Sequence, residues 1–269
     1  MPSSSIFRPA VLSDGCMLAY LPKPAVIAHR GASAHAPENT LPAFELAFSQ
    51  GADAVECDVQ LTADQQVIVL HDRTLDRTTN VTGPVKHFSL DELSRVDAAA
   101  GYHPAYQEVR IPTLGDVLRE LSDDEQVNIE LKGYDRPWGL LSEKVVDLVQ
   151  GNNARNRVLL SSFNPFSILA AHHHCPEIDK GFIIQGIPLL IGLQLGISTL
   201  LPIDSVHLSG NFLNKNIIQR IHKMGKKAFF FTLNHPEEIN QAVHLGADGF
   251  FTDDPSLARR ILHRQSQYI

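Results

Sequence analysis

Three short patterns put acids, bases and cations where they could work together: His29-Arg30-Gly31, Glu56-x-Asp58 followed by His71, and Glu130-x-Lys132. Glu56 and Asp58 lie two apart in a β-branched run, so on a strand they project from one face while Cys57 points the other way. Two carboxylates side by side repel each other, which leaves two readings. Either they pair with buried Arg or Lys, or they hold a hard cation that prefers oxygen ligands. Glu130 and Lys132 repeat the i, i+2 spacing and add a third carboxylate and an ammonium. Burying such charges unpaired is costly, so a divalent metal with a bound anion accounts for the set, and a salt-bridge cluster of the Glu56–Lys132 kind is the alternative. His29 and His71 contribute two imidazoles. With an unperturbed pKa of about 6.5, one can accept a proton while the other donates at neutral pH, as a displacement at phosphorus requires.

The elements that must position these groups are legible as short β-branched and aromatic runs at 25–29, 54–59, 67–72, 127–132, 157–163, 180–185, 205–209, 227–233 and 249–252. Most are separated by stretches with helical spacing, such as ENTLPAFELAFSQ, TLGDVLREL, LLSEKVVDLVQ, NKNIIQRIHKMG and HPEEINQAVHLG, the pattern of repeated βα units and a parallel sheet. The runs at 54–59 and 67–72 are joined by too few residues for a parallel crossover and must form an antiparallel hairpin. Setting that hairpin strand aside leaves eight, and eight parallel βα units in a chain of 269 residues predict an α/β TIM (β/α)8 barrel with catalytic groups at the C-terminal strand ends. A doubly wound open sheet is the runner-up, but no GxGxxG follows the first strand. Residues 73–111 are polar and poorly periodic, with only SLDELSRV suggesting a helix, and read as an insertion within one domain spanning 1–269.

Composition bounds the function. A hydrophobic fraction of 43% and a charged fraction of 20% suit a globular core. The net charge of −7 argues against a nucleic-acid partner, whose affinity would rest on Lys and Arg neutralising phosphates. Cys16, Cys57 and Cys175 are odd in number and far apart, and the N-terminal stretch has no basic segment followed by an unbroken apolar one, so a cytoplasmic setting is expected. The segment 181–203 carries no charge, yet Pro188, Gln185, Gln194 and four glycines break it into a strand and a loop or short helix rather than a membrane span. An apolar lid at a site mouth is the other reading of it. The HExxH and CxxC spacings of zinc sites are absent, and His172-His173-His174, pointing in different directions on a helix, read as surface residues.

Taken together, HRGASAHAPENT (29–40), GADAVECDVQLT (51–62), VIVLHDRTLDRTT (67–79), IPTL (111–114), NIELK (128–132), FTLN (231–234) and GADGFFTDDP (246–255) resemble the glycerophosphodiester phosphodiesterase family. The resemblance covers nearly the whole chain. It implies a TIM barrel with an insertion after the second strand that hydrolyses small-molecule glycerophosphodiesters to sn-glycerol 3-phosphate and an alcohol such as choline or ethanolamine. By motif matching it implies Glu56, Asp58 and Glu130 as ligands of Mg²⁺ or Ca²⁺, His29 and His71 as the acid–base pair, and Arg30 and Lys132 as phosphate holders. The neighbouring glycerol hydroxyl is expected to attack phosphorus before water does.

Two departures from the family pattern matter. Asp64-Gln65-Gln66 replaces the usual glycine after the hairpin Asp, so a different turn is expected, and FTLN replaces WTVN, leaving Phe231 where a tryptophan would pack against substrate. A roomier pocket together with the apolar 186–203 segment leaves open a lysophospholipase D-like activity on lysophospholipids. A catalytically inactive phosphate-binding barrel is the reading of a different class.

Overall fold

The computed structural model describes residues 16–100, 102, 106, 109–133 and 139–266. From the N-terminus run α1 (Met17–Tyr20), β1 (Ala25–Ala28), α2 (Leu41–Ser49), β2 (Ala54–Leu61), β3 (Val67–Val69), α3 (Leu90–Leu93), α4 (Leu114–Glu120), β4 (Gln126–Leu131) and α5 (Leu140–Gly151). They are followed by β5 (Val158–Ser162), α6 (Pro165–His174), β6 (Asp179–Ile184), α7 (Pro188–Ile197), β7 (Ser205–Ser209), α8 (Lys215–Lys223), β8 (Lys227–Phe231), α9 (Pro236–Leu245), β9 (Gly249–Thr252) and α10 (Pro255–Ser266). All nine expected strands form, in the order β1-β9-β8-β7-β6-β5-β4-β2-β3, and β1 also pairs with β2. That last pairing closes the parallel strands into an eight-stranded barrel, with β3 left outside as the antiparallel partner of β2. The TIM-barrel expectation holds.

Alternation along the strands sorts side chains into two layers. Val55, Cys57 and Val59 of β2 face outward into one apolar cluster with Phe44 of α2, Val117 of α4 and Val145 of α5. Outward residues of β6 to β9 join Ile191, Ile218, Ile239 and Ala258 from the later helices in a second cluster. The barrel interior holds a third, in which Ile27, Ala54, Leu159, Phe229 and Phe251 meet Met17, Leu18 and Leu21. α1 therefore works as a plug. Its Leu18 amide donates to Asp179 Oδ2 at 2.7 Å, and Lys227 Nζ donates to the Leu18 carbonyl, which fixes the plug to the starts of β6 and β8. Apolar side chains thus fill the N-terminal end of the barrel, and the charged cluster of β2 and β4 lies at the C-terminal end.

The helices begin where short polar side chains satisfy orphan amides. Thr113 and Asp116 exchange hydrogen bonds as a capping box at α4, Asn164 accepts from the Phe166 amide ahead of α6, and Asn214 accepts from the Ile217 amide at α8. α9 ends on Gly246 at φ +83°, the left-handed conformation that glycine adopts without strain. Between β3 and α4 the chain forms a small unit with its own apolar cluster, in which Leu75, Val85, Leu93 and Val96 pack on Ile68. Isolated bridges pair Thr74 with Pro84 and Asp97 with Arg110. The helix expected within SLDELSRV is α3, capped by Ser89 and Glu92.

The turn between β2 and β3 does not take a different course for want of a glycine. Gln65 itself adopts φ +59°, the conformation a glycine would take there, and Thr62 Oγ1 holds the turn by donating to Asp64 Oδ1 at 2.6 Å and accepting from the Gln66 amide at 2.9 Å. A side chain in that region is strained by contact between Cβ and the following carbonyl. Gln65→Gly is expected to raise stability by roughly 0.5–1 kcal/mol, the relief of strain exceeding the added unfolded-state entropy. A urea midpoint that is unchanged or lowered would show that the Gln65 backbone is not strained.

Candidate active site

The strand register brings the expected groups to one end of the barrel. Asp58 lies opposite Glu130 across the β2–β4 ladder, Glu56 lies opposite Asn128, and Lys132 follows one residue past the end of β4. Carboxylate oxygens of Glu56, Asp58 and Glu130 lie within 4.8 Å of one another. Lys132 Nζ sits 2.8 Å from Asp58 Oδ1 and donates to Glu130 Oε1 at 2.5 Å. The sequence left open whether the carboxylates pair with cations or bind a metal, and the geometry contains elements of both.

The residues after β1 form the opposite side. The strand stops at Ala28, one residue short of the expected end, and Arg30 and Gly31 take φ values of +58° and +82°. A Cβ at position 31 would lie 2.7 Å from the Ala43 backbone, so only glycine lets the chain pass this close to α2. The turn aims the Arg30 amide at Glu56 Oε2, 2.8 Å away, and brings Arg30 Nε to 3.3 Å from Asp58 Oδ2 and Nη1 to 2.9 Å from Glu38 Oε1. Asn39, also left-handed at φ +59°, donates to Asp58 Oδ2 at 2.8 Å and accepts from the Asp58 amide at 3.1 Å.

This arrangement divides the carboxylates electrostatically. Burial would raise Asp58, but Lys132 and Arg30 hold it well below the usual carboxylate range. Glu56 goes the other way, pushed well above that range by burial and then by repulsion from Asp58 and Glu130. Burial and Asp58 also raise Glu130, although Lys132 opposes them. Glu56 Oε1 is buried and has no hydrogen-bond partner. A buried carboxylate oxygen without a donor, beside two other carboxylates, fits an all-oxygen site for a hard divalent cation better than a finished salt-bridge cluster.

Each histidine is held by its own carboxylate. His29 Nδ1 lies 2.7 Å from Asp253 Oδ1, which also accepts from Ser33 Oγ at 3.1 Å, while Asn234 Nδ2 donates to the other Asp253 oxygen at 2.6 Å. His71 lies two residues beyond β3 rather than at its end, with Nδ1 2.6 Å from Asp72 Oδ1. Against the effect of burial, Arg77 and His71 hold Asp72 down at about 2, and Arg77 also forks onto Glu38 at 2.6 and 2.7 Å. Buried Gln60 donates at 2.7 Å to the carbonyls of both Leu70 and Asp72, fixing the backbone on either side of His71. A carboxylate on Nδ1 sets the tautomer with Nδ1–H donating and leaves Nε2 as the proton-exchanging atom. Burial lowers His71 from its ordinary value, with Asp58 opposing.

A cavity of about 780 Å³ is lined by His29, Arg30, Glu56, His71, Glu130, Lys132 and Phe231, so all the expected residues except the fully covered Asp58 border it. Phe231 meets Phe163 edge to face, with ring centroids 6.2 Å apart. The positioning residues Asn39, Gln60, Asp72, Arg77, Asn234 and Asp253 were not singled out from the sequence, although all six sit inside the motifs that carry the resemblance. Nor was His207, which is enclosed between Phe229 and Phe251, lies 3.0 Å from Ser205 Oγ, and is lowered by burial to about 3. No spacing rule marks it, because its surroundings come from β7, β8 and β9 together.

Comparison with known proteins finds relatives along most of the chain. The model of the glycerophosphoryl diester phosphodiesterase family matches residues 29–257. A glycerophosphodiester phosphodiesterase of Caldanaerobacter subterraneus subsp. tengcongensis is 36% identical over 236 residues, covering 87% of this chain and 95% of the relative. An Oleispira antarctica phosphodiesterase, solved in complex with the product sn-glycerol-3-phosphate, is 32% identical with a TM-score of 0.78, covering 90% of this chain and 97% of that one. A glycerophosphodiester phosphodiesterase of Agrobacterium tumefaciens is 29% identical with a TM-score of 0.75, covering 88% of this chain and 99% of that one.

The charge distribution carries a stability consequence. A carboxylate whose folded pKa is raised leaves the fold undisturbed below the unfolded value of 4.5 and destabilises it as pH rises beyond that. In the presence of a chelator at pH 7, Glu56→Gln is therefore expected to raise the urea midpoint, a gain that disappears below about pH 4.5. If the Glu56→Gln variant were instead less stable than the wild type at neutral pH, the carboxylate would already be compensated by Arg30 and Lys132.

Proposed function

The chain belongs to the glycerophosphoryl diester phosphodiesterase family and is an enzyme that hydrolyses glycerophosphodiesters, and from that premise we propose a divalent-cation-dependent reaction yielding sn-glycerol 3-phosphate and an alcohol. In this reading Glu56, Asp58 and Glu130 hold Mg²⁺ or Ca²⁺, His29 and His71 exchange protons, and Arg30 and Lys132 bind the phosphate. The observation that carries it is the meeting, at one cavity, of three buried carboxylates with two histidines each oriented through Nδ1 by an aspartate. The product follows from the Oleispira antarctica relative, whose structure contains it.

Each group has a distinct task. With Nδ1 occupied by Asp253 or Asp72, the Nε2 atom of each imidazole is left to take the proton of the attacking hydroxyl or to return one to the departing alkoxide. Asp253 and Asp72 also stabilise the imidazolium formed in that exchange. Lys132 and Arg30, held by Asp58, Glu130 and Glu38, present fixed positive charge to the non-bridging oxygens. When bound, the cation polarises the phosphoryl oxygens and offsets their charge. The vicinal hydroxyl of the glycerol attacks first, forming a cyclic phosphate that water then opens. Phe231 borders the space for the rest of the substrate. The three free cysteines support a reducing, cytoplasmic setting.

Purified protein should release glycerol 3-phosphate from glycerophosphocholine, lose that activity on chelation and regain it with Mg²⁺ or Ca²⁺. His29→Ala and Glu56→Ala should each lower kcat/KM by about 10²–10⁴-fold. Near-normal turnover by His29→Ala would overturn its proton-transfer role, and full activity in chelator would overturn the cation. Rapid quench should trap the cyclic phosphate, and its absence at every time point would favour direct attack by water.

A further inference from the structure

Of the helices that surround the barrel, all but two neighbours carry charge. Helices α2 to α5 and α8 to α10 each contain at least one Asp, Glu, Lys or Arg, whereas α6 and α7 contain none, nor do the longer stretches 158–176 and 181–203 around them. Both helices pack on β6, and Ile168 of α6 shares one buried cluster with Ile191 and Leu195 of α7. The outward side is apolar as well as uncharged. Leu169 stands exposed on α6, Ile187 at the start of α7, Leu190, Leu193 and Ile197 along it and Leu200 just beyond, with Leu193 at 61% and Leu200 at 83%. These six side chains leave roughly 600 Å² of apolar surface open, the upper end of the largest patch on a monomer and a size that marks interaction sites.

We propose that this face is the contact between two copies of the chain related by a twofold axis. The inference goes beyond the phosphodiesterase reading and does not depend on it. Charge selects the partner. A twofold contact sets one patch against its own image, so any excess of one sign is doubled, and at a net charge of −7 two copies repel over most of their surface. Among the described helices on the outside of the barrel, only α6 and α7 present a face free of that penalty. Area agrees. Two copies of the patch bury roughly 1,200 Å² of apolar surface, the lower end for a stable pair before the polar rim is counted. The shape of α7 suits a second helix. Gly192 and Gly196 lie one turn apart beside Leu193 and Ile197, and a Cβ at either would meet no other atom of the described residues within 4 Å. Packing within the protomer therefore does not require these glycines, which weaken a helix relative to alanine, whereas a second backbone approaching closely does. A bilayer is the poorer occupant, because the face offers no Lys or Arg to lipid phosphates.

Sedimentation equilibrium of the full chain, as wild type, Leu193→Glu and the double variant Gly192→Ala/Gly196→Ala, tests the contact. The wild type should form a dimer at micromolar concentration. Leu193→Glu sets a carboxylate in the apolar contact and should raise the dissociation constant by roughly tenfold or more. The double variant carries the sharper expectation. Alanine at both positions should raise the melting temperature of the dilute protomer, because it restores helix propensity in open space, and yet weaken the dimer by a similar factor. Should Leu193→Glu fail to fold, the double variant decides alone. A monomer at every concentration up to the millimolar range would overturn the contact. A dimer that neither variant weakens would do the same by assigning the association to another surface. So would adsorption of the wild type to phosphatidylcholine vesicles that Leu193→Glu abolishes, which assigns the face to a bilayer.

Discussion

Holding three carboxylates together at the mouth of a barrel is the constraint on which the rest of the structure depends. Glu56, Asp58 and Glu130 would drive one another apart if each were left to its own solvation, yet β2 and β4 hold them by backbone register, and the barrel cannot release one without breaking its ladder. The neighbouring features answer to that fact. Lys132 and Arg30 balance Asp58, Asn39 donates to its carboxylate and accepts from its amide, and the left-handed turn at Arg30-Gly31 delivers a backbone amide to Glu56. The compensation is uneven. Asp58 is over-provided and stays ionised, while Glu56 keeps an unsatisfied oxygen, so frustration collects on the atom best placed to bind a cation.

A second layer of carboxylates orients the two histidines. Asp253 and Asp72 each take one imidazole by Nδ1, and each is itself fixed, by Asn234 and Ser33 in one case and by Arg77 in the other. Arg77 also grips Glu38, which pairs with Arg30, so one continuous chain of charges links His71 to the side bearing the three carboxylates. This gives the segment between β3 and α4 a physical purpose. Its apolar cluster, built on Leu75, Val85 and Leu93, provides a rigid support for the loop carrying His71 to Arg77, which the barrel strands alone could not hold.

The two ends and two walls of the barrel divide the remaining tasks. α1 packs Met17, Leu18 and Leu21 into the N-terminal end. At the open end the charged wall faces the aromatic one formed by Phe163, Phe166 and Phe231.

How much of this could be read from the chain depends on the range of the interactions involved. The nine strands, the hairpin exception, the barrel and the gathering of the expected acids, bases and cations at one strand-end cavity were all legible in the sequence, because β periodicity, turn chemistry and i, i+2 spacing are local and survive without coordinates. The left-handed Gln65 was not, because nothing in the residue type announces that a side chain will accept a glycine's conformation. Nor were the partners. Asp253 reaches His29 across 224 positions, Gln60 clamps both sides of His71 through backbone carbonyls, and His207 is neutral because rings from separate strands close over it. The sequence by itself determined which chemical groups are present and at which strand ends. Only the tertiary structure decided which carboxylate is ionised, which nitrogen is free and which oxygen lacks a partner, since those properties arise from burial and from neighbours that chain order does not bring together.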